Sequence, residues 1–240
     1  MLTGFQLKVL AVILMILDHL YAYLPDLPLW FTWLGRLAAP IFFFLAVEGF
    51  VHTRNRRNYL MRLFTFALIM FSGTKVIVLL FPADIPLKNN IFLSLALAVL
   101  MLMFIEETSG VKINSREFVR GITGAWFVSF ISIFTEASLL GVYLTCVFYF
   151  LRGKKILLSL GYLLLSFLFF LPVLRDQAGL TPVSLEGFRS QWMMVFALPF
   201  FLIYNGERGL NNLFAKYMFY FIYPLHLWLL YIARYYLTSG

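Results

Sequence analysis

Residues 8–19 read Lys8-Val9-Leu10-Ala11-Val12-Ile13-Leu14-Met15-Ile16-Leu17-Asp18-His19. The apolar run between Lys8 and Asp18 covers every face of a helix and leaves none for water. It does not alternate with period two, which excludes a strand of a membrane barrel. With Leu7 before it and Leu20 to Leu24 behind it, the stretch reaches the roughly 20 residues that cross a bilayer. Hydrocarbon offers backbone N–H and C=O groups no partner but each other, so the segment is a helix. It starts near Met1 and no A-x-A cleavage site follows, so it reads as a retained span and not as a leader.

The same composition recurs along the chain. Of 240 residues, 62% are hydrophobic and 12% charged, with mean hydropathy +0.88. A soluble domain carries about 25% charged residues, so this surface must face lipid. Nine apolar segments stand out, near 5–24, 29–51, 58–81, 90–107, 118–135, 137–151, 156–173, 191–204 and 217–237, with eight to ten as the range. The expectation is one domain, 1–240, an all-α polytopic transmembrane helix bundle. If the N-terminus is cytoplasmic, the inside holds Lys8, Arg54, Arg56, Arg57, Arg62, Lys112, Arg116, Arg120, Arg152, Lys154, Lys155, Arg208 and Lys216. The outside holds only Lys88, Arg175, Arg189 and Arg234. That asymmetry sets the N-terminus in the cytoplasm and the chain in the cell's inner (cytoplasmic) membrane. It also accounts for the net charge of +8 without nucleic acid, for which no motif is present. The one cysteine, Cys146, excludes an internal disulfide. Three histidines on separate elements make no metal set.

Ionisable groups inside a membrane are costly and usually functional. Lys8 and His19 are eleven residues apart, close to three helical turns, so they share a face about 16 Å apart along the axis. Asp18 and His19 form either a catalytic pair or a polar knot that fixes packing. The second segment carries Gly35-Arg36 near its outer end, then Pro40, Glu48-Gly49 and His52. Arg36 lies at a depth similar to His19 across a short loop, unless it snorkels to the outer headgroups. Glu48 and His52 share a face near the cytoplasmic end, where Glu48 orients a cofactor or pairs with an arginine. Arg54, Arg56, Arg57 and Arg62 follow. They are a topology signal with anionic-lipid contact, or a phosphate-gripping rim. In the ninth segment, Tyr223-Pro224-Leu225-His226 puts an imidazole near mid-membrane beside an expected kink. His226 is a site residue or a hydrogen-bonded packing residue, and Tyr223 shares its face. Asn205, Glu207 and Arg208 lie in a polar cytoplasmic loop, and Glu136 at an outer turn. No G-x-S-x-G elbow, H-E-x-x-H, Walker loop or G-x-G-x-x-G occurs.

Several of these segments together resemble the TraX family: Leu17-Asp18-His19, Gly35-Arg36 through Pro40-Ile41-Phe42-Phe43-Phe44, Glu48-Gly49-Phe50-Val51-His52-Thr53-Arg54-Asn55, Tyr204-Asn205-Gly206-Glu207-Arg208-Gly209 and Tyr223-Pro224-Leu225-His226. They run in the family's order from near residue 7 to near residue 230. The third segment, Phe71-Ser72-Gly73-Thr74-Lys75, departs from the family pattern, in which an acidic residue and a proline are usual. The Lys8–His19 spacing is also similar to the basic-x10-His signature of wider integral-membrane acyltransferases. The founding activity of the family is N-terminal acetylation of conjugative pilin. The resemblance implies an acetyltransferase that draws on cytoplasmic acetyl-CoA and modifies an amine or hydroxyl of a peptide, protein N-terminus or glycan at or across the lipid bilayer. His19 would be general base or acyl carrier, with Asp18, Arg36, Glu48 and His226 around it. Lys8, Arg54, Arg56 and Arg57 would hold the cofactor, and Tyr223, Asn205, Glu207 and Arg208 would support the acceptor. A small proton-coupled transporter or flippase, or a non-enzymatic assembly factor, is the alternative.

Overall fold

A computed structural model describes residues 1–113, 115–177 and 190–239. Among them the chain is helical, and the nine expected segments each have a helical counterpart. They are α1 Gly4–Tyr23, α2 Trp30–Gly35 with α3 Ala38–His52, α4 Arg56–Leu80, α5 Ile91–Glu107, α6 Arg116–Ser132, α7 Ser138–Phe150, α8 Lys155–Gln177, a 3-10 turn Gln191–Ala197 running into α9 Leu198–Leu202, and α10 Leu213–Ser239. Among the described residues, five stretches are long and apolar enough to cross a membrane: Gly4–Tyr23, Trp30–His52, Arg56–Leu80, Lys155–Val173 and Leu213–Thr238. The others are shorter; α5 and α6 have 17 residues each, about 25 Å. Arg189, expected outside, lies beyond the described residues, as does the side chain of Arg175.

Local chemistry sets the helix ends. Thr3 caps α1 through a capping box: its hydroxyl accepts the Gln6 N–H, and the Gln6 side chain accepts the Thr3 N–H. Pro25 follows the end of α1. The second segment is broken at Arg36–Leu37. Pro40 causes the break: it has no N–H, and its ring meets the carbonyl four residues back, at Arg36. Asn55 and Asn90 cap α4 and α5 with their side-chain oxygens.

α3 lies at the centre, against α1, α5 and α7, with Ile41, Phe43, Val47 and Phe50 buried. α10 packs on α1. α4 and α8 turn Leu68, Leu79 and Leu164 outward, where lipid and not water is the match. Two contacts fix the α1–α10 seam. Lys8 Nζ donates to the Ala215 carbonyl at 3.0 Å, and His19 meets His226 at 2.7 Å. Both pairs are 207 residues apart in sequence, so the helices run parallel and in register.

Candidate functional site

The imidazole pair sits on that seam. His226 Nδ1–H donates to the Ile222 carbonyl at 2.7 Å. This fixes the tautomer, because the carbonyl only accepts, and His226 Nε2 therefore carries the lone pair. Its neighbour at 2.7 Å, His19 Nδ1, must be the donor. His19 is left with a bare Nε2, which bonds nothing among the described residues. The rings stack with centroids 5.0 Å apart. His19 is 6% exposed, so it is a shielded base whose other nitrogen is occupied.

Tyrosines frame the pair. Tyr223 lies edge-on to both imidazoles, at 6.2 Å from His19 and 5.8 Å from His226. Its hydroxyl donates to Glu136 Oε2 at 3.1 Å and accepts the Ile91 N–H. Tyr23 lies edge-on to His19 and donates to Asn89, whose amide donates to Glu136 Oε1. Glu136 thus joins the site through two tyrosines.

Asp18 faces α2, away from the imidazole pair, as its position about 100° round the helix requires. Thr32 donates to it at 2.7 Å and accepts from Arg36 Nη2 at 2.9 Å. Arg36 also lies 3.8 Å from Asp18 and donates through Nε to Ser190 at 3.1 Å. Gly35 makes this approach possible: a Cβ there would stand 2.2 Å from Asp18 Cβ. Among the described residues, Arg36 Nη1 is not engaged, which leaves guanidinium donors for a further partner.

The end of the bundle where α1 begins holds a cavity of about 650 Å³ between α1, α3, α4 and α10, within the usual range of ligand sites. Lys8, Arg54, Arg62, Arg208 and Lys216 line it, and none of them meets a carboxylate among the described residues. Some cations elsewhere are paired: Arg56 with Glu106, Arg120 with Glu107, Arg234 with Asp84. Glu48, on the rim, is gripped bidentately by Arg152 at 2.7 and 3.2 Å, and this carboxylate holds the Arg152 guanidinium further toward its charged form. Five uncompensated cations around one cavity repel each other and are matched by a polyanion.

Of the expected cofactor residues, Lys8 and Arg54 line this cavity, whereas Arg56 and Arg57 do not. Arg56 lies over the Phe50 ring and is committed to Glu106. Arg62, from the same basic cluster, lines the cavity with Lys216, for which basic composition was the only sequence signal. Arg208 also lines it, while Asn205 and Glu207 bond each other in the loop beside the N-terminus. That loop is laced to α1. Leu2 pairs with Tyr204, and the Gly4 and Phe5 N–H groups donate to the Glu207 and Arg208 carbonyls. Gly209, at φ +72°, lets Thr3 come close. His226, expected around His19, bonds it directly. No group of three or more metal-ligating side chains occurs among the described residues.

Fold and site together define a polytopic helical membrane protein with a deep imidazole pair above a basic cavity. The chain belongs to the TraX family: the family described as TraX protein matches residues 3–234. It is 29% identical over 245 residues to a protein of Dichelobacter nodosus described as probable fimbrial assembly protein FimC, serogroup H1, covering 98% of this chain and 97% of that one. No solved structure matches.

Proposed function

We propose that this protein is an inner-membrane acyltransferase that moves an acetyl group from cytoplasmic acetyl-CoA to an amine or hydroxyl of a peptide or glycan acceptor at or across the membrane. The observation that carries this reading is the α1–α10 seam. One end places Lys8 in a cavity of unpaired cations, and the other presents the bare Nε2 of His19. The cavity cations suit the phosphates of a CoA donor, since guanidinium and ammonium groups grip phosphate oxygens. The donor supplies an activated thioester carbonyl. His19 Nε2 takes the proton from the acceptor nitrogen or oxygen as the bond to the acyl carbon forms and the C–S bond breaks. It then returns that proton to the departing thiolate. His226 stabilises the charge on His19 through the Nδ1 hydrogen bond. The unengaged Nη1 of Arg36 is suited to the negative charge developing on the carbonyl oxygen.

The parallel α1 and α10 cross in the same direction, which supports an odd number of crossings, and nine helical segments fit it. The basic cavity supports a cytoplasmic N-terminus. The name of the D. nodosus relative supports a fimbrial or other surface protein as acceptor. The test is purified protein in nanodiscs with acetyl-CoA, read by calorimetry and by CoA release with a peptide acceptor. Wild type is expected to bind and release CoA, and His19→Ala to bind without release. Failure to bind acetyl-CoA, or undiminished turnover by His19→Ala, overturns the reading. Proton-coupled flux without binding would favour a transporter.

A further inference from the structure

The cavity and the imidazole pair do not connect. The cavity ends at Phe42, Leu95 and Phe219, where Phe42 and Phe219 stack with centroids 4.4 Å apart. Phe92 closes the space behind them, 5.1 Å from Phe219 and 5.0 Å from Tyr223. Phe42, Phe92, Phe219 and Tyr223 are all buried. From Phe219 to His226 is seven residues of one helix, about 10 Å. The floor is apolar, so a phosphate or a hydrated group would be stripped of its partners there at high cost.

We propose that the Phe42–Phe219 stack is the gate and size filter between the two halves: it holds the charged head of the donor in the cavity and admits only a thin, uncharged thioester arm ending in a small acyl group. This rests on the transferase reading, which it deepens by naming the residues that set acyl size. The stack is the ring-to-ring contact between α3 and α10 at the cavity floor among the described residues. α1 supplies the other wall, and Lys8, Met15 and His19 share its face. Packing at interior density leaves no alternative width, so the passage opens only when a ring turns aside. A longer acyl chain needs a larger displacement of the same rings.

The experiment has two arms. In the first, Met15→Cys is placed beyond the floor in a Cys146→Ser background. A small methanethiosulfonate is then added to the cytoplasmic side of inverted vesicles. Adding Phe219→Leu is expected to raise the modification rate by about tenfold, the scale of a gating step. An unchanged rate, fast or slow, overturns the gate. In the second, transfer is measured with acetyl- and butyryl-CoA. Phe42→Leu and Phe219→Leu are expected to raise the butyryl-to-acetyl ratio by about fivefold or more, within what one or two methylenes decide. An unchanged ratio overturns the filter. Leu retains apolar volume, and thermal unfolding in detergent confirms the folded state of each variant. If no version transfers any acyl group, the transferase reading fails while the cysteine arm still decides the gate.

Discussion

His19 donates its Nδ1 proton to His226 Nε2 across 2.7 Å, and His226 is fixed as acceptor by its own bond to the Ile222 carbonyl. The bare Nε2 of His19 therefore depends on a residue 207 positions away. His226→Ala removes one hydrogen bond that strengthens as His19 gains charge. Such bonds are worth about 1.5–3 kcal/mol, so kcat should fall by roughly 10–100-fold. His226→Gln, which keeps a side-chain acceptor, should recover part of the loss. Steady-state CoA release measures it, and equal rates for wild type and His226→Ala would detach His226 from the chemistry.

Gly35→Ala should be destabilising out of proportion to one methyl group. Its Cβ would sit 2.2 Å from Asp18 Cβ, and Asp18 cannot retreat without giving up Thr32. Overpacking of this kind costs about 1–3 kcal/mol. The thermal midpoint in detergent should drop, with loss of activity as α2 moves Arg36 off its present position.

The arginines should separate by role. Arg62→Ala is expected to raise the KM for acetyl-CoA by roughly 10–100-fold, the loss of a charge-assisted bond. Arg57→Ala, outside the cavity lining, should stay within about twofold. Arg56→Ala should lower the thermal midpoint, because Glu106 loses its cation. Equal KM shifts at Arg57 and Arg62 would return the whole cluster to topology.

The end of the bundle opposite the cavity should show an acid-sensitive clamp. Hydrogen bonding from Arg234 holds the Asp84 carboxyl below the usual carboxylate range. A depressed folded value means the clamp contributes fully above the unfolded value, near pH 4, and fades as pH falls through the lower folded value. Asp84→Asn should therefore lower the thermal midpoint at neutral pH, with the difference from wild type narrowing below about pH 4. A difference that is constant with pH would exclude the clamp.

Much of this was legible beforehand. Apolar runs located the nine helical segments, because lipid demands continuous hydrophobicity from each segment separately. The Lys8–His19 face followed from helical period alone. The pairings across the chain were not legible. His19 with His226, Glu48 with Arg152 and Phe42 with Phe219 depend on which helices become neighbours, and no local spacing records that. The break at Arg36 was visible only as Pro40, whose effect falls four residues upstream. Lys216 was hidden in a charge bias that topology explains equally well.

The site is built from the two ends of the described chain, and this has a consequence for its biosynthesis. α1 must lie in the membrane with Lys8 and His19 unsatisfied until α10 and the 203–209 loop emerge. Two hundred residues of translation take roughly 10–40 s at ordinary elongation rates. Throughout that time the half-made protein carries an unpaired imidazole in lipid and an N-terminal turn without its carbonyl partners. The cavity is therefore acquired only once α10 has been made. A ribosome stalled before α10 would release a chain that inserts well, binds no polyanion, and shows membrane quality control its unpartnered α1.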